Sequence, residues 1–387
     1  MLTQGDSITE IGVNLQPPPG AQVIDGTNKT LIPGLLDAHT HTMTINEQRE
    51  ALLFGVTTEL GMFDNAALLT YQACSAPVTD RADLFSASIL ATAPGGHGTQ
   101  FGIPIPTLTA PSQAAGFVDD RIAEGAYHIK IVIEDLSLFQ ATPVSTLNLD
   151  IFTALVNSAH ARGRLAISHV TKMSDAEMAI QNDADGLAHM PVDEVATAQF
   201  GRLVNRKGAF IVPTLVFMHG ADGASLGAEP LADPNLSPWI TPGAAANLTA
   251  SFAPDFADRW SFQKVIESTQ ILNEQEVSIL AGSDSGNPTT AHGASLHREM
   301  ELLVYAGLTP VDALRSATSR PAQHFRLQDR GYIRPGKLAD MVLVNGDPTT
   351  NILATRNIAA IFRRGALVDR SQLFQLASQP PTVPTCP

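Results

Sequence analysis

The stretch Leu31-Ile32-Pro33-Gly34-Leu35-Leu36-Asp37-Ala38-His39-Thr40-His41-Thr42 is a short apolar run, entered through Pro33-Gly34, that ends in two histidines at i and i+2. In an extended strand alternate side chains leave the same face, so His39 and His41 project together. That is a metal-ligand arrangement, although an isolated His-x-His is equally at home on a polar surface. The flanks decide. The run is too short for a buried helix, and later apolar runs also end in metal-competent side chains: Lys130, His169, His189 and Asp284.

Working outward, the middle of the chain alternates strand and helix patterns. The expected strands are Leu35 to His39, Val56 to Leu60, Phe85 to Ala91, His128 to Ile133, Leu165 to His169, Gly186 to His189, Ala209 to Leu215 and Ser278 to Gly282. Between them Leu149, Phe152, Val156 and Ala159 repeat at helical spacing before Gly163, and Ser174-Asp175-Ala176-Glu177 reads as a capping box. Eight strands joined by helices predict a parallel (β/α)8 barrel over residues 33–331. Beyond the eighth strand, Leu296, Met300 and Leu303 mark a helix ending near Gly307, and Thr309-Pro310 caps another.

Both ends read as strand. Ala21 to Asp25, Leu338 to Val344 and Ile358 to Val368 lie in residues 1–32 and 332–387, which are expected to join into a small β-sandwich domain beside the barrel. The α/β fold class is thus a TIM-like barrel with a terminal β domain. Residues 218–263 form the main insertion, rich in Gly, Pro, Ala and Asp and carrying Trp239, Phe252, Phe256 and Trp260. It follows the seventh strand at the expected catalytic face and reads as a lid, against a plain surface or subunit contact.

Bulk properties narrow the function. A chain of 387 residues with 44% hydrophobic and 16% charged residues has the make-up of a compact enzyme. Its net charge of -14 repels a nucleic-acid backbone, which excludes that partner. Cys74 and Cys386 supply no Cys-based metal motif. No apolar run has the ~20 residues of a membrane span, and Met1 to Glu10 lacks the basic and apolar regions of a secretory signal. A cytoplasmic setting, no membrane partner and a small-molecule substrate are expected, with a homo-oligomer left open.

In a barrel all strand ends point to one mouth, so His39, His41, Lys130, His169, His189 and Asp284 converge there. Imidazole and carboxylate together suit zinc and related divalent ions. Lys130 is the odd member. A protonated amine among dications is repelled, so it must be deprotonated or chemically changed. His128 shares its strand face but lies a layer deeper and reads as core. His160 and His324 fall in helices and read as structural, while His219, His292 and His297 lie near the mouth.

These residues carry a resemblance. Ile32 to His41, Ile129-Lys130-Ile131, Ser168-His169-Val170, Leu187-Ala188-His189-Met190, Ala281 to Gly286, His292-Gly293 through Glu299 and Gly331 to Asp340 together resemble the amidohydrolase superfamily. Within it they are most similar to the imidazolonepropionase-related branch of binuclear dipeptidases, prolidases and ochratoxinase-like amidases. Relative to that family the amino terminus is short by a strand or two. The resemblance implies that His39 and His41 hold one divalent ion and His169 and His189 another. A CO2-derived carbamate on Lys130 would bridge the two. Asp284 would join the first ion and act as general base toward a metal-bridged hydroxide or water. Such ions lie roughly 3.5 to 4 Å apart and polarise the scissile carbonyl.

The resulting expectation is hydrolysis of an amide or peptide bond in a dipeptide or N-acyl amino acid-like molecule. A lactonase or cyclic-amide hydrolase is the alternative, and a catalytically silent metal-binding protein the reading from another class. The resemblance also places His97, in Pro94-Gly95-Gly96-His97-Gly98, against the substrate carbonyl or its tail, with loop structuring as the alternative. Glu134 shares the face of Lys130. It is a solvated charge or, facing the cavity, a substrate contact favouring a basic group. His292 is a further substrate-side candidate.

Overall fold

The computed structural model describes residues 1–140, 142–222, 226–252 and 260–380; Phe256 and Cys386 lie outside them. Eight parallel strands run in the order expected: Leu35–Thr40, Val56–Gly61, Asp83–Ser86, Ile129–Val132, Ala166–His169, Gly186–Ala188, Phe210–Val212 and Ser278–Ile279. The first three form one sheet and the last five another. A parallel bridge between Ala91 and Ile131 joins the third strand's extension to the fourth. At the other seam Ala38 N donates to Ala281 O (2.9 Å) and Asp284 N to His39 O (2.8 Å). These bonds close the barrel and fix His39 beside Asp284.

The third strand ends earlier than the sequence predicts. Ser88 takes a left-handed backbone (φ 58), and its amide donates to the Ser86 hydroxyl, which breaks the extended run before Ala91. The helix expected to open on a capping box at Ser174 starts at Met173, whose amide donates to Asp193 Oδ1 (2.9 Å). A carboxylate from the next loop replaces the local cap. The box that does form is Thr44 with Glu47, at the start of Ile45–Leu53. Helices Leu149–Ala161, Ala294–Tyr305 and Pro310–Ser316 match their sequence patterns, with Asn148 and Thr309 as N-caps.

The barrel interior is filled by Leu36, Ala38, Leu60, Ile167, Ala188, Phe210, Val212 and Leu280, closed below by Phe325 and Leu327. His128 sits in this layer, fully buried, its ring 5.2 Å from Phe325. It is core, as its depth implies.

Lys29–Pro33 pairs antiparallel with Met341–Asn345, followed across the sheet by Ile358–Arg363 and Ala366–Leu367. An N-terminal hairpin, Leu2–Gln4 with Ser7–Glu10, lies beside it through Ile8, Ala339 and Met341. Ala21 to Asp25, expected as a strand, is not one; Val23 is 72% exposed and has no sheet to bury against. Gly34 links the terminal sheet to the first barrel strand, where a Cβ would stand 2.3 Å from Thr57 Oγ1. Arg363, with no exposed surface, ties this sheet to the barrel by pairing with Asp340 (2.5 Å) and with Asp83 of the third strand.

The insertion is more regular than its composition suggests. Leu215–Asp222, Glu229–Ala232 and Pro242–Thr249 are helical before Phe262–Glu274 begins. Trp239 packs under Arg370 (4.1 Å) and near Phe374 of the last helix, which places it on the barrel flank rather than over the mouth. Among the described residues no helix is long and apolar enough to cross a membrane.

Candidate active site

His39 and His41 leave the first strand together, and His41 Nδ1 stands 3.1 Å from Phe63 O. A carbonyl can only accept, so Nδ1 carries the proton and a neutral His41 presents a bare Nε2. That atom lies 2.9 Å from Asp284 Oδ1, while His39 Nε2 is 3.3 Å from the same oxygen. Two electron-rich atoms this close call for a cation or proton between them. His189 Nδ1 stands 3.9 Å from Asp284 Oδ2 and 2.8 Å from the Thr214 hydroxyl. One donor atom each from His39, His189 and Asp284 falls within 4.8 Å of the others.

His169 completes the ring, its centroid 4.4 Å from that of His189. Lys130 rises from the fourth strand into the same space, 2% exposed. Both ring nitrogens of His39 and the Lys130 amine are buried without a hydrogen-bond partner. Leaving such a group unpaired costs roughly 1–3 kcal/mol each, and a divalent ion held by these donors would satisfy one His39 nitrogen and the lone pair of a neutral Lys130 amine. The residues present therefore fit a metal.

Electrostatics agree with that fit. Burial, with the Lys130 charge next, holds His39 well below the usual imidazole range, and burial then His189 does the same for His169. His189 is lowered to about 3, chiefly by burial. Neutral imidazoles are the form that ligates. Burial lowers Lys130 to about 7, opposed by Asp284 and Asp64, so a free amine is available near neutrality. Burial pushes Asp284 up, but the His41 contact and the His189, His41 and Lys130 charges bring it below the ordinary carboxylate value.

Backbone strain is concentrated here. His189 (φ 71), Asp284 (φ 56) and Thr214 (φ 50) all adopt left-handed conformations that cost side-chain-bearing residues on the order of 1 kcal/mol or more. The surrounding bonds hold them. Asn287 Nδ2 donates to Asp284 Oδ1 (2.9 Å), and Thr290 Oγ1 donates to Asp284 O (3.1 Å). Gly282 lets the eighth strand approach, since a Cβ there would stand 2.8 Å from His39 Cβ.

The constellation opens into a cavity of about 480 Å³ whose walls include His41, His97, Lys130, His169, His189 and Asp284. His97 lies on the loop after the third strand, its ring 4.9 Å from His169. Gln100 Oε1 accepts from Gly98 N (2.6 Å), which orients the amide so that its Nε2 donates to His97 Nδ1 (2.7 Å). A neutral His97 must then carry its proton on Nε2.

Two expected substrate contacts lie elsewhere. Glu134 is buried outside the cavity wall, its carboxylate accepting from Leu136 N (2.6 Å) and the Thr171 hydroxyl, with His169 Nε2 at 3.8 Å. It is neither solvated nor substrate-facing; backbone and hydroxyl donors turn it inward behind His169. His292 also misses the cavity, because its Nδ1 is held 2.6 Å from the buried Glu59. His297 spans Thr355 Oγ1 and Phe54 O, both at 3.0 Å, and His219 packs on Phe262. His160 and His324 bond Asp185 and Ser278, as structural residues do.

Sequence reasoning passes over the supports. Asp37 Oδ1 accepts from Ser283 N (2.9 Å) and His39 N (3.2 Å), tying the first strand to the eighth. Its place two residues before His39 on one strand face was the available signal. Asp64 accepts from Thr42 N (2.6 Å) and from Ser86. No local pattern marks Asp64, Thr214 or Gln100.

Fold and site together define an eight-stranded α/β barrel with a histidine, lysine and aspartate centre at the carboxyl mouth. The chain belongs to the Amidohydrolase family, whose model matches residues 30–368. It is 38% identical over 88 residues to an adenine deaminase of Mesorhizobium japonicum, covering 22% of this chain and 14% of that protein. It is 50% identical over 50 residues to an imidazolonepropionase of Pyrobaculum arsenaticum, 13% of either chain. The chain thus spans well under a fifth of the length of these curated relatives. The crystal structure of a Xaa-Pro dipeptidase with methionine bound in its active site superposes with a TM-score of 0.73 at 22% identity, covering 94% of this chain and 93% of that one. That likeness is one of fold.

Proposed function

We propose that this chain is a metal-dependent hydrolase that cleaves an amide bond in a small molecule. The observation that carries the reading is the convergence of His39, His189 and Asp284 donor atoms within 4.8 Å, beside a buried, unpartnered Lys130 amine. His39, His41 and Asp284 would hold one divalent ion and His169 and His189 a second, with a carbamate on Lys130 as shared anionic ligand; zinc suits this donor set. The carbamate forms when the neutral Nζ adds its lone pair to CO2 and loses a proton. When bound, the ions supply Lewis-acid polarisation of the carbonyl and a water acidic enough to be deprotonated near neutral pH.

The remaining work falls to side chains. Asp284, fixed by Asn287, removes the proton from the attacking water and returns it to the leaving nitrogen as the C–N bond breaks. His97, with its proton on Nε2, donates to the carbonyl oxygen as charge builds there. The products are a carboxylate and an amine. Family membership and the likeness to a dipeptidase structure support this reading.

The test is direct. Protein loaded with zinc should bind two equivalents by elemental analysis and hydrolyse members of a panel of simple amides, in both cases dependent on Asp284. A zinc-loaded protein inert to amides but active on lactones would replace the reading with the lactonase alternative.

A further inference from the structure

Beside the histidines the cavity wall is largely apolar, and it contains Phe63, Phe101, Phe139, Phe217 and Phe252. Three of these rings adjoin active-site histidines: Phe63 at 6.5 Å from His41, Phe101 at 5.9 Å from His97, and Phe217 at 6.1 Å from His189. Four of them form two pairs, Phe63 with Phe101 at 6.2 Å, beside His41 and His97, and Phe217 with Phe252 at 5.5 Å and perpendicular, beside His189. Phe101 is 50% exposed and Ile103 47%, both at the mouth, where large apolar side chains left in water mark a contact surface.

The polar side chains of the wall are already engaged. Gln100 holds His97, Asn287 holds Asp284, Thr171 donates to Glu134, and Gln140 donates to Thr142 O. Among the described lining residues Lys130 is the sole lysine or arginine, and it sits at the reacting end. A substrate carboxylate placed between the phenylalanines would lose its water and find no cation in return. The protein's net charge of -14 adds to that penalty.

From this we infer that the substrate is an uncharged amide with apolar groups on both sides of the scissile bond, at least one of them aromatic, rather than a dipeptide or N-acyl amino acid with a free carboxylate. The inference rests on the amide-hydrolase reading of the same site. Aromatic groups held edge-on by the two phenylalanine pairs would bring the carbonyl against His97 and the metal-type donors.

The experiment compares N-phenylbenzamide with its para-carboxylate analogue on the zinc-loaded protein. Turnover is read by product release, and binding by calorimetry on the metal-free wild type, whose phenylalanine wall is intact and which cannot turn the amide over. The neutral amide should be preferred by at least about 10-fold in both. Equal or better use of the carboxylate, or binding of neither, overturns the inference. A binding preference without hydrolysis supports the substrate class and instead sinks the hydrolase reading. Phe101→Arg, at an exposed position that tolerates the change, should move the preference toward the carboxylate by about 10-fold; an unmoved preference counts against the aromatic collar.

Discussion

The side-chain amide of Gln100 is clamped between Gly98 N and His97 Nδ1, at 2.6 and 2.7 Å, and so decides which nitrogen of His97 carries the proton. Loss of the Nε2 donor in His97→Ala should lower kcat by about 10²-fold with a smaller change in KM. Gln100→Leu should lose several-fold less. The double variant should be no worse than His97→Ala alone, because Gln100 acts only through the ring. Additive losses in steady-state kinetics would show that Gln100 has a separate role.

Lys130→Ala should lose activity by at least about 10³-fold and fall below two bound metals per chain by elemental analysis. Lys130→Glu places an anionic oxygen donor on the same strand end and should retain more metal than the alanine variant. Equal metal content in wild type and Lys130→Ala would remove Lys130 from the ligand set.

Zinc should raise thermal stability, because it satisfies a His39 nitrogen that the fold otherwise buries unpaired. At a hundredfold excess over Kd the gain is about 2.7 kcal/mol. Chelation should reverse the shift in melting temperature, and Asp284→Ala should show little of it. A melting curve indifferent to zinc in the wild type would contradict the site.

Burial lowers His292, but the Glu59 charge and hydrogen bond outweigh it and raise the imidazole from 6.5 to about 10. A folded pKa above the unfolded value gives stability that is complete below pH 6.5 and is lost as pH climbs toward 10. Denaturant midpoints of the wild type should therefore fall across that window more steeply than those of His292→Gln. Parallel profiles would mean that the pair does not contribute as an ion pair.

Arg363→Met should cost about 3–5 kcal/mol by urea denaturation, since it leaves the buried Asp340 without its ion-pair partner and takes from Asp83 one of the three arginines that surround it. The terminal sheet is held to the barrel by this contact. A loss below about 1 kcal/mol would show that the acids relax to solvent.

The residues that reach the mouth are largely legible in the chain. His39, His41, His169, His189 and Asp284 sit at or just beyond the ends of apolar runs, Lys130 interrupts one as its only charge, and a parallel barrel sends all such ends one way, so the six could be grouped before any coordinates. Glu134 and His292 show where that logic stops. Strand alternation gives a side chain's face, yet Thr171 and Leu136 N draw Glu134 behind the wall, and Glu59 draws His292 away from it. Those partners lie 37 and 233 positions distant for Thr171 and Glu59, beyond any local pattern.

Periodicity and strand-end chemistry, both local and repeated, determined the barrel from the sequence alone and singled out side chains that meet at its mouth. Tertiary structure alone decided the proton position on His97, the left-handed backbone at His189 and Asp284, the gathering of phenylalanines on the cavity wall and the inward turn of Glu134. Each of these depends on contacts between segments far apart in the chain, whose distances exist only once the barrel has closed.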